Sequence, residues 1–95
     1  NTPEIRFEVD EMEKFAIVDK VLAAMQKQAE TDTDMQVSDT DGVRVVTPKG
    51  WWLLRASNTQ NALTARVEAS RKTYLEEMKE MLSAELEKLG VVIPF

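Results

Sequence analysis

The chain has 95 residues, 43% of them hydrophobic and 31% charged, the balance of a globular domain rather than of a disordered segment. It contains no Cys and no His, which excludes disulfides, thiolate nucleophiles, cysteine metal sites and any Ser-His-Asp device. The net charge of −5 argues against general binding to nucleic acid or anionic membranes; no apolar run approaches the ~18 residues of a membrane span, and the start at Asn1 lacks the pattern of a secretory leader.

Ile5, Phe7 and Val9 alternate with Glu4, Arg6 and Glu8, the period of a half-buried strand. Asp10 followed by Glu13 resembles a capping box and predicts a helix start there. Phe15, Val18, Leu22 and Met25 recur at helical spacing to about Gln28, and the polar stretch Ala29 to Thr33 ends the helix. Asp32, Asp34, Asp39 and Asp41 cluster, but their spacing fails the calcium-loop template, so this stretch reads as a solvated acidic loop.

Asp41-Gly42 is a turn signal before a strand carrying Val43 and Val45. Thr47-Pro48-Lys49-Gly50 is a second turn, leading back through a strand from Trp51 to Ala56 and forming a hairpin. Trp51 and Trp52 must face opposite sides of that strand, placing one in the core and the other at an edge or under a helix. Ser57-Asn58-Thr59-Gln60-Asn61 is wholly polar and reads as a loop. Leu63, Ala65 and Val67 then alternate with Thr64, Arg66 and Glu68 in another strand.

Ser70 is suited to cap a second helix, whose apolar face holds Tyr74, Leu75, Met78, Leu82, Leu86 and Leu89. Glu76, Glu77, Glu80, Glu85 and Glu87 form its solvated face, and Gly90 suits its end. Val91 to Phe95 is a short apolar tail, and the methionines read as core filling. The order strand, helix, three or four strands, helix predicts an α+β fold over residues 1–95. Its antiparallel sheet would have four or five strands, with two helices on one face.

Charge is segregated along this chain. From Gly42 to Val67 there are Arg44, Lys49, Arg55 and Arg66 and no Asp or Glu, a local +4 that leaves −9 for the rest. Such a strip suggests an anion site, although strands are in any case depleted in acidic residues. Within it, Arg55-Ala56-Ser57-Asn58-Thr59 combines a guanidinium, two hydroxyls, an amide and the N–H groups of a turn. Those are the donors that hold a phosphate monoester. Arg66, on the next strand, could bring a second guanidinium to the same anion. A plain polar turn between two strands is the competing reading, since no glycine-rich phosphate motif accompanies the segment.

The residues also carry a family resemblance. Thr2-Pro3-Glu4-Ile5, Lys14-Phe15-Ala16-Ile17, Asp41-Gly42-Val43-Arg44-Val45, Pro48-Lys49-Gly50-Trp51, Arg55-Ala56-Ser57-Asn58-Thr59, Arg66-Val67-Glu68-Ala69 and Ile93-Pro94-Phe95 occur in order along the whole chain. Together they resemble the C-terminal domain of bacterial phosphomannomutase/phosphoglucomutase, in the α-D-phosphohexomutase superfamily. The resemblance implies a TATA-binding-protein-like fold and the fourth, closing domain of a cytoplasmic four-domain enzyme. Asn1, standing where no initiator Met does, fits such an excised domain.

The implied enzyme interconverts hexose 1-phosphate and hexose 6-phosphate of mannose or glucose through a hexose 1,6-bisphosphate, with Mg2+. The resemblance places the phosphoserine, the magnesium aspartates and the sugar-recognition loop in the three preceding domains. The 95-residue chain alone is then expected to be inactive, with no catalytic or metal-binding residue and no cofactor of its own. Carried over by position, Arg55, Ser57, Asn58, Thr59 and Arg66 would hold the phosphate of the phosphosugar substrate that is not being transferred. The family often has Pro where this chain has Asn61, which leaves the loop freer in φ. The alternative is a non-catalytic protein-interaction module using the basic strip 42–67. A nucleic-acid-binding role, suggested only by the fold type, is disfavoured by charge and by the lack of a stacking platform.

Overall fold

The structure, a computed structural model, describes residues 4–10 and 13–95. Five strands and two helices follow in the order β1 (Ile5–Glu8), α1 (Lys14–Ala29), β2 (Gln36–Ser38), β3 (Val43–Thr47), β4 (Gly50–Ala56), β5 (Ala62–Ala69) and α2 (Lys72–Glu87). The strands form one antiparallel sheet in the order β1-β5-β4-β3-β2, so β4 is central and β1 crosses to the far edge. This is the expected α+β arrangement.

Alternation divides the sheet into two faces. The register sets Val45 opposite Trp52, Trp52 opposite Val67, Leu54 opposite Ala65, and Phe7 opposite Leu63. These residues join Ile17, Val18, Val21 and Met25 of α1 and Met78, Leu82 and Leu86 of α2 in one core, so both helices cover this face. The other face carries Trp51, Leu53 and Arg55 of β4, Thr64 and Arg66 of β5, Arg44 of β3 and Arg6 of β1. No helix covers it among the described residues.

Several local expectations change. The edge strand β2 falls inside the stretch read as acidic loop; it has three residues, of which only Val37 packs against the core. The α1 face is rotated: Ile17 and Val21 are buried, whereas Phe15 is 59% exposed. Neither helix has the expected side-chain cap. The cap position of α1 is Glu13, and Asp10 contributes its main-chain carbonyl to the N–H groups of Glu13 (2.9 Å) and Lys14 (3.2 Å). Asn1, Thr2 and Pro3, like Glu11 and Met12, lie outside the described residues.

For α2 the cap position is the extended Arg71, so Ser70 sits one residue too early to cap. Glu85 is not on a solvated face: it is 6% exposed at the α1–α2 contact, where Gln28 (3.3 Å) and Lys88 (3.0 Å) donate to it. The end of α2 is as expected. Gly90 has φ 77°, its N–H donates to Glu87 O (3.0 Å), and Val91 N–H donates to Leu86 O (2.9 Å), which is a Schellman closure.

Trp52 is fully buried, as one tryptophan should be, and its indole N–H donates to Met81 Sδ at 3.3 Å. Trp51 is neither at an edge nor under a helix; it stands half-buried on the open face of the central strand. The reason is simple alternation on β4. Met25, Met35 and Met78 are core residues, with Met81 packed against them.

Candidate functional site

The polar loop 57–61 joins β4 to β5 at one end of the sheet. Its base is closed by Ser57 N–H donating to Ala62 O at 2.9 Å, and Asn61 O accepts from Val9 N–H at 2.9 Å. Inside it, Thr59 N–H donates to Ser57 Oγ at 3.4 Å, the short-range turn a serine offers its own backbone. Asn58, Thr59, Gln60 and Asn61 are exposed. A cleft of about 410 Å³ opens beside Asn58 and Arg55, lined also by Phe15, Val18, Asp19, Leu22, Asp39 and Asp41. A second, of about 490 Å³, lies on the other flank of the loop between Gln60, Asn61, Arg6 and Glu8.

Arg55, the last charged residue of β4 before the loop, is held at three nitrogens. Its Nε donates to Thr64 Oγ1 at 3.2 Å, across the β4–β5 pair. Its Nη1 donates to Asp41 Oδ2 at 3.1 Å, and Nη2 lies 3.5 Å from Glu4 Oε2. Thr64 is 8% exposed and returns its own hydroxyl proton to Arg55 O at 3.5 Å. One edge of the guanidinium is therefore fixed by a buried hydroxyl, while the other meets exposed carboxylates. Asp41 reaches Arg55 because Gly42, at φ 69°, lets the preceding turn lie directly on β4. A Cβ there would stand 2.3 Å from Leu54 O.

Arg66 occupies the same sheet face as Arg55 but has other partners. Its Nε lies 3.5 Å from Glu68 Oε2, and its guanidinium is 6.0 Å from the Trp51 ring. Arg44 approaches the same ring to 4.6 Å. The face thus carries an indole within cation–π reach of two guanidiniums. The two candidate arginines share a face and not a partner. Lys49, the fourth cation of the basic strip, stands apart on the β3–β4 turn, 2.7 Å from Glu77 of α2. The hydrogen bond and charge of Glu77 hold its pKa above the ordinary lysine value.

One residue of the site escaped the sequence reading. Lys14, the first residue of α1, is 7% exposed, and its Nζ donates to both Ser57 O and Gln60 O at 3.0 Å. Hydropathy assigns a lysine to the surface, and the one sequence signal at this position is its place in Lys14-Phe15-Ala16-Ile17 of the family resemblance. For a metal, the described residues contain no group of three or more Asp or Glu side chains able to hold an ion. Asp32 accepts from Asp34 N–H and Asp41 faces Arg55, so the described acidic residues do not fit a magnesium site.

A family model for the phosphoglucomutase/phosphomannomutase C-terminal domain matches residues 4–85. A phosphomannomutase/phosphoglucomutase of Pseudomonas syringae pv. tomato is 42% identical over 90 residues, covering 95% of this chain and 18% of that protein. That of Pseudomonas aeruginosa is 39% identical over 94 residues, covering 99% and 19%. A crystal structure of a phosphoglucomutase/phosphomannomutase family protein from Burkholderia thailandensis superposes with a TM-score of 0.75 at 29% identity, over 99% of this chain and 19% of that one. The chain therefore spans about a fifth of the length of these relatives. With the family match covering most of its residues and the sheet, helices and loop in place, this chain belongs to the phosphoglucomutase/phosphomannomutase C-terminal domain family.

Proposed function

We propose that this chain is the phosphate-binding, active-site-closing domain of a phosphohexomutase that interconverts hexose 1-phosphate and hexose 6-phosphate through a 1,6-bisphosphate. The observation that carries the reading is Arg55, whose Nε is fixed by buried Thr64 while its Nη1 and Nη2 face only exposed carboxylates beside the loop 57–61. A guanidinium fixed on one side by a buried hydroxyl and met on the other only by exposed carboxylates, which an anion can displace, is suited to bidentate recognition of a phosphate. Ser57, Asn58 and Thr59 would add hydroxyl, amide and main-chain donors, with Arg66 approaching from the same face.

In this reading the domain grips the phosphate that is not being transferred. A bisphosphate intermediate must turn between two transfer steps, so a site that reads a bare phosphate, and not the sugar, serves both orientations. These residues bind and position the substrate, and the closing domain excludes water from the reacting centre. Bond-making groups, the magnesium ion and sugar recognition are assigned to the remainder of the enzyme.

Titrating glucose 1-phosphate into the 15N-labelled chain is expected to shift the amides of Ser57 to Asn61 first. In the whole mutase, Arg55→Ala is expected to raise KM for both mannose and glucose phosphates at least about tenfold, the loss of a charged hydrogen-bond donor. Unchanged activity with both sugars would sink the phosphate role.

A further inference from the structure

Lys14 stands against three local preferences at once. A lysine is rarely buried, and this one is 7% exposed. A cation is unfavourable at the positive end of a helix, and Lys14 is the first residue of α1, with no acidic residue in the first turn. A buried charge is ordinarily paired, yet among the described residues no carboxylate forms an ion pair with Lys14. Its partners are the carbonyl oxygens of Ser57 and Gln60, both at 3.0 Å, and the ring of Phe15 at 5.1 Å. Local rules broken together, with no compensating carboxylate among the described residues, mark a functional rather than a stabilising placement.

We propose that Lys14 is a positioning residue for anion binding by the loop 57–61: its ammonium draws two loop carbonyl oxygens inward and leaves beneath the loop a positive charge that no carboxylate of the described residues pairs. The inference deepens the phosphate reading above and rests on it. Carbonyl oxygens facing a phosphate would repel it. With those of Ser57 and Gln60 turned onto Lys14 and the Thr59 N–H on Ser57 Oγ, the Asn58 N–H and the side chains of Asn58 and Thr59 are left to the ligand side. Two neutral carbonyls accept from two of the three ammonium N–H donors but do not cancel its charge. The field therefore persists in a low-dielectric setting, where solvent screens it poorly. A neutral donor could shape the loop equally well but would not supply that field.

The test uses four 15N-labelled versions of the full 95-residue chain: wild type, Lys14→Arg, Lys14→Gln and Lys14→Met, each titrated with inorganic phosphate. In wild type the side-chain ammonium resonance of Lys14 is expected to be visible through slow exchange and to shift with phosphate. Lys14→Met is expected to move the amides of Ser57 to Gln60 and to weaken phosphate at least about tenfold, the loss of a hydrogen-bonded charge. Lys14→Arg should recover most of that affinity and Lys14→Gln much less. Wild-type loop amides and affinity in Lys14→Met would overturn the proposal, and equal affinities for the Arg and Gln variants would overturn the role of charge. That Arg–Gln comparison decides the matter if Lys14→Met does not fold. Absence of any phosphate response in wild type would count against the phosphate reading and against the anion-binding role built on it. Altered loop amides in Lys14→Met would then leave Lys14 a structural clamp only.

Discussion

Asp41 and Glu4 hold the same nitrogens of Arg55 that a phosphate would need, at 3.1 and 3.5 Å. Both carboxylates are exposed, so they are weak partners that an anion can displace. Asp41→Asn is therefore expected to raise phosphate affinity several-fold, measured by calorimetry, and a fall would show that Asp41 orients the guanidinium instead. Thr64→Val has the opposite sign, because it releases Nε and leaves a buried position without its hydroxyl. A stability loss of about 1 kcal/mol and weaker phosphate binding are expected together.

Lys49 offers a pH test. Its folded pKa is raised by Glu77, so its contribution to stability is fully present below the ordinary lysine pKa of 10.5 and is lost as pH rises through the higher folded value. The difference in melting temperature between wild type and Lys49→Met should accordingly shrink as pH rises through the alkaline range. Of these residues, Arg55 and its loop were legible in the sequence because their chemistry is unusual for a turn. Lys14 and Glu85 were not, since the carbonyls that hold Lys14 lie 43 and 46 residues away and Glu85 is buried against Gln28 of the other helix, 57 residues away.

At the scale of elements, the two glycines with positive φ make a controlled comparison. Gly90 at φ 77° has open space where a Cβ would stand, so Gly90→Ala should cost only the left-handed strain, about 1 kcal/mol. Gly42 at φ 69° has the same strain, plus Leu54 O at 2.3 Å and Arg55 Cβ at 2.8 Å from the added methyl. Gly42→Ala should cost clearly more, about 2–4 kcal/mol by denaturant unfolding, and should also disturb Asp41 against Arg55. Equal costs for the two variants would mean that the β2–β3 turn yields without penalty.

The strands at β1, β3, β4 and β5 were readable because each buries alternate residues against one covering layer. β2 was not, because three residues with a single inward valine leave too short a period to detect. Helix positions were readable and helix caps were not. Asp10 and Ser70 have the right chemistry at the wrong distance, and on α1 Lys14 lies under the loop while Phe15 is outside.

Among the described residues the molecule is a half-clad sheet, with its core on the helix side and Arg6, Arg44, Arg55 and Arg66 on the other. Trp52→Ala should cost about 3–5 kcal/mol, as removal of a fully buried aromatic does. Trp51→Ala should cost about 1 kcal/mol, mainly the lost contacts with Arg44 and Arg66. Thermal unfolding of the pair checks both; similar losses would contradict the two-faced assignment.

Those adjacent indoles have an optical consequence. Trp52 is shielded from solvent and bonded to a thioether sulfur, so its emission should follow the integrity of the core. Trp51 lies in the charge field of two guanidiniums, one of them Arg66, and its emission should respond when an anion changes that field. A chain carrying Trp52→Phe would keep a single chromophore on the cationic face. It would turn ligand arrival into a change of colour and intensity without any attached dye.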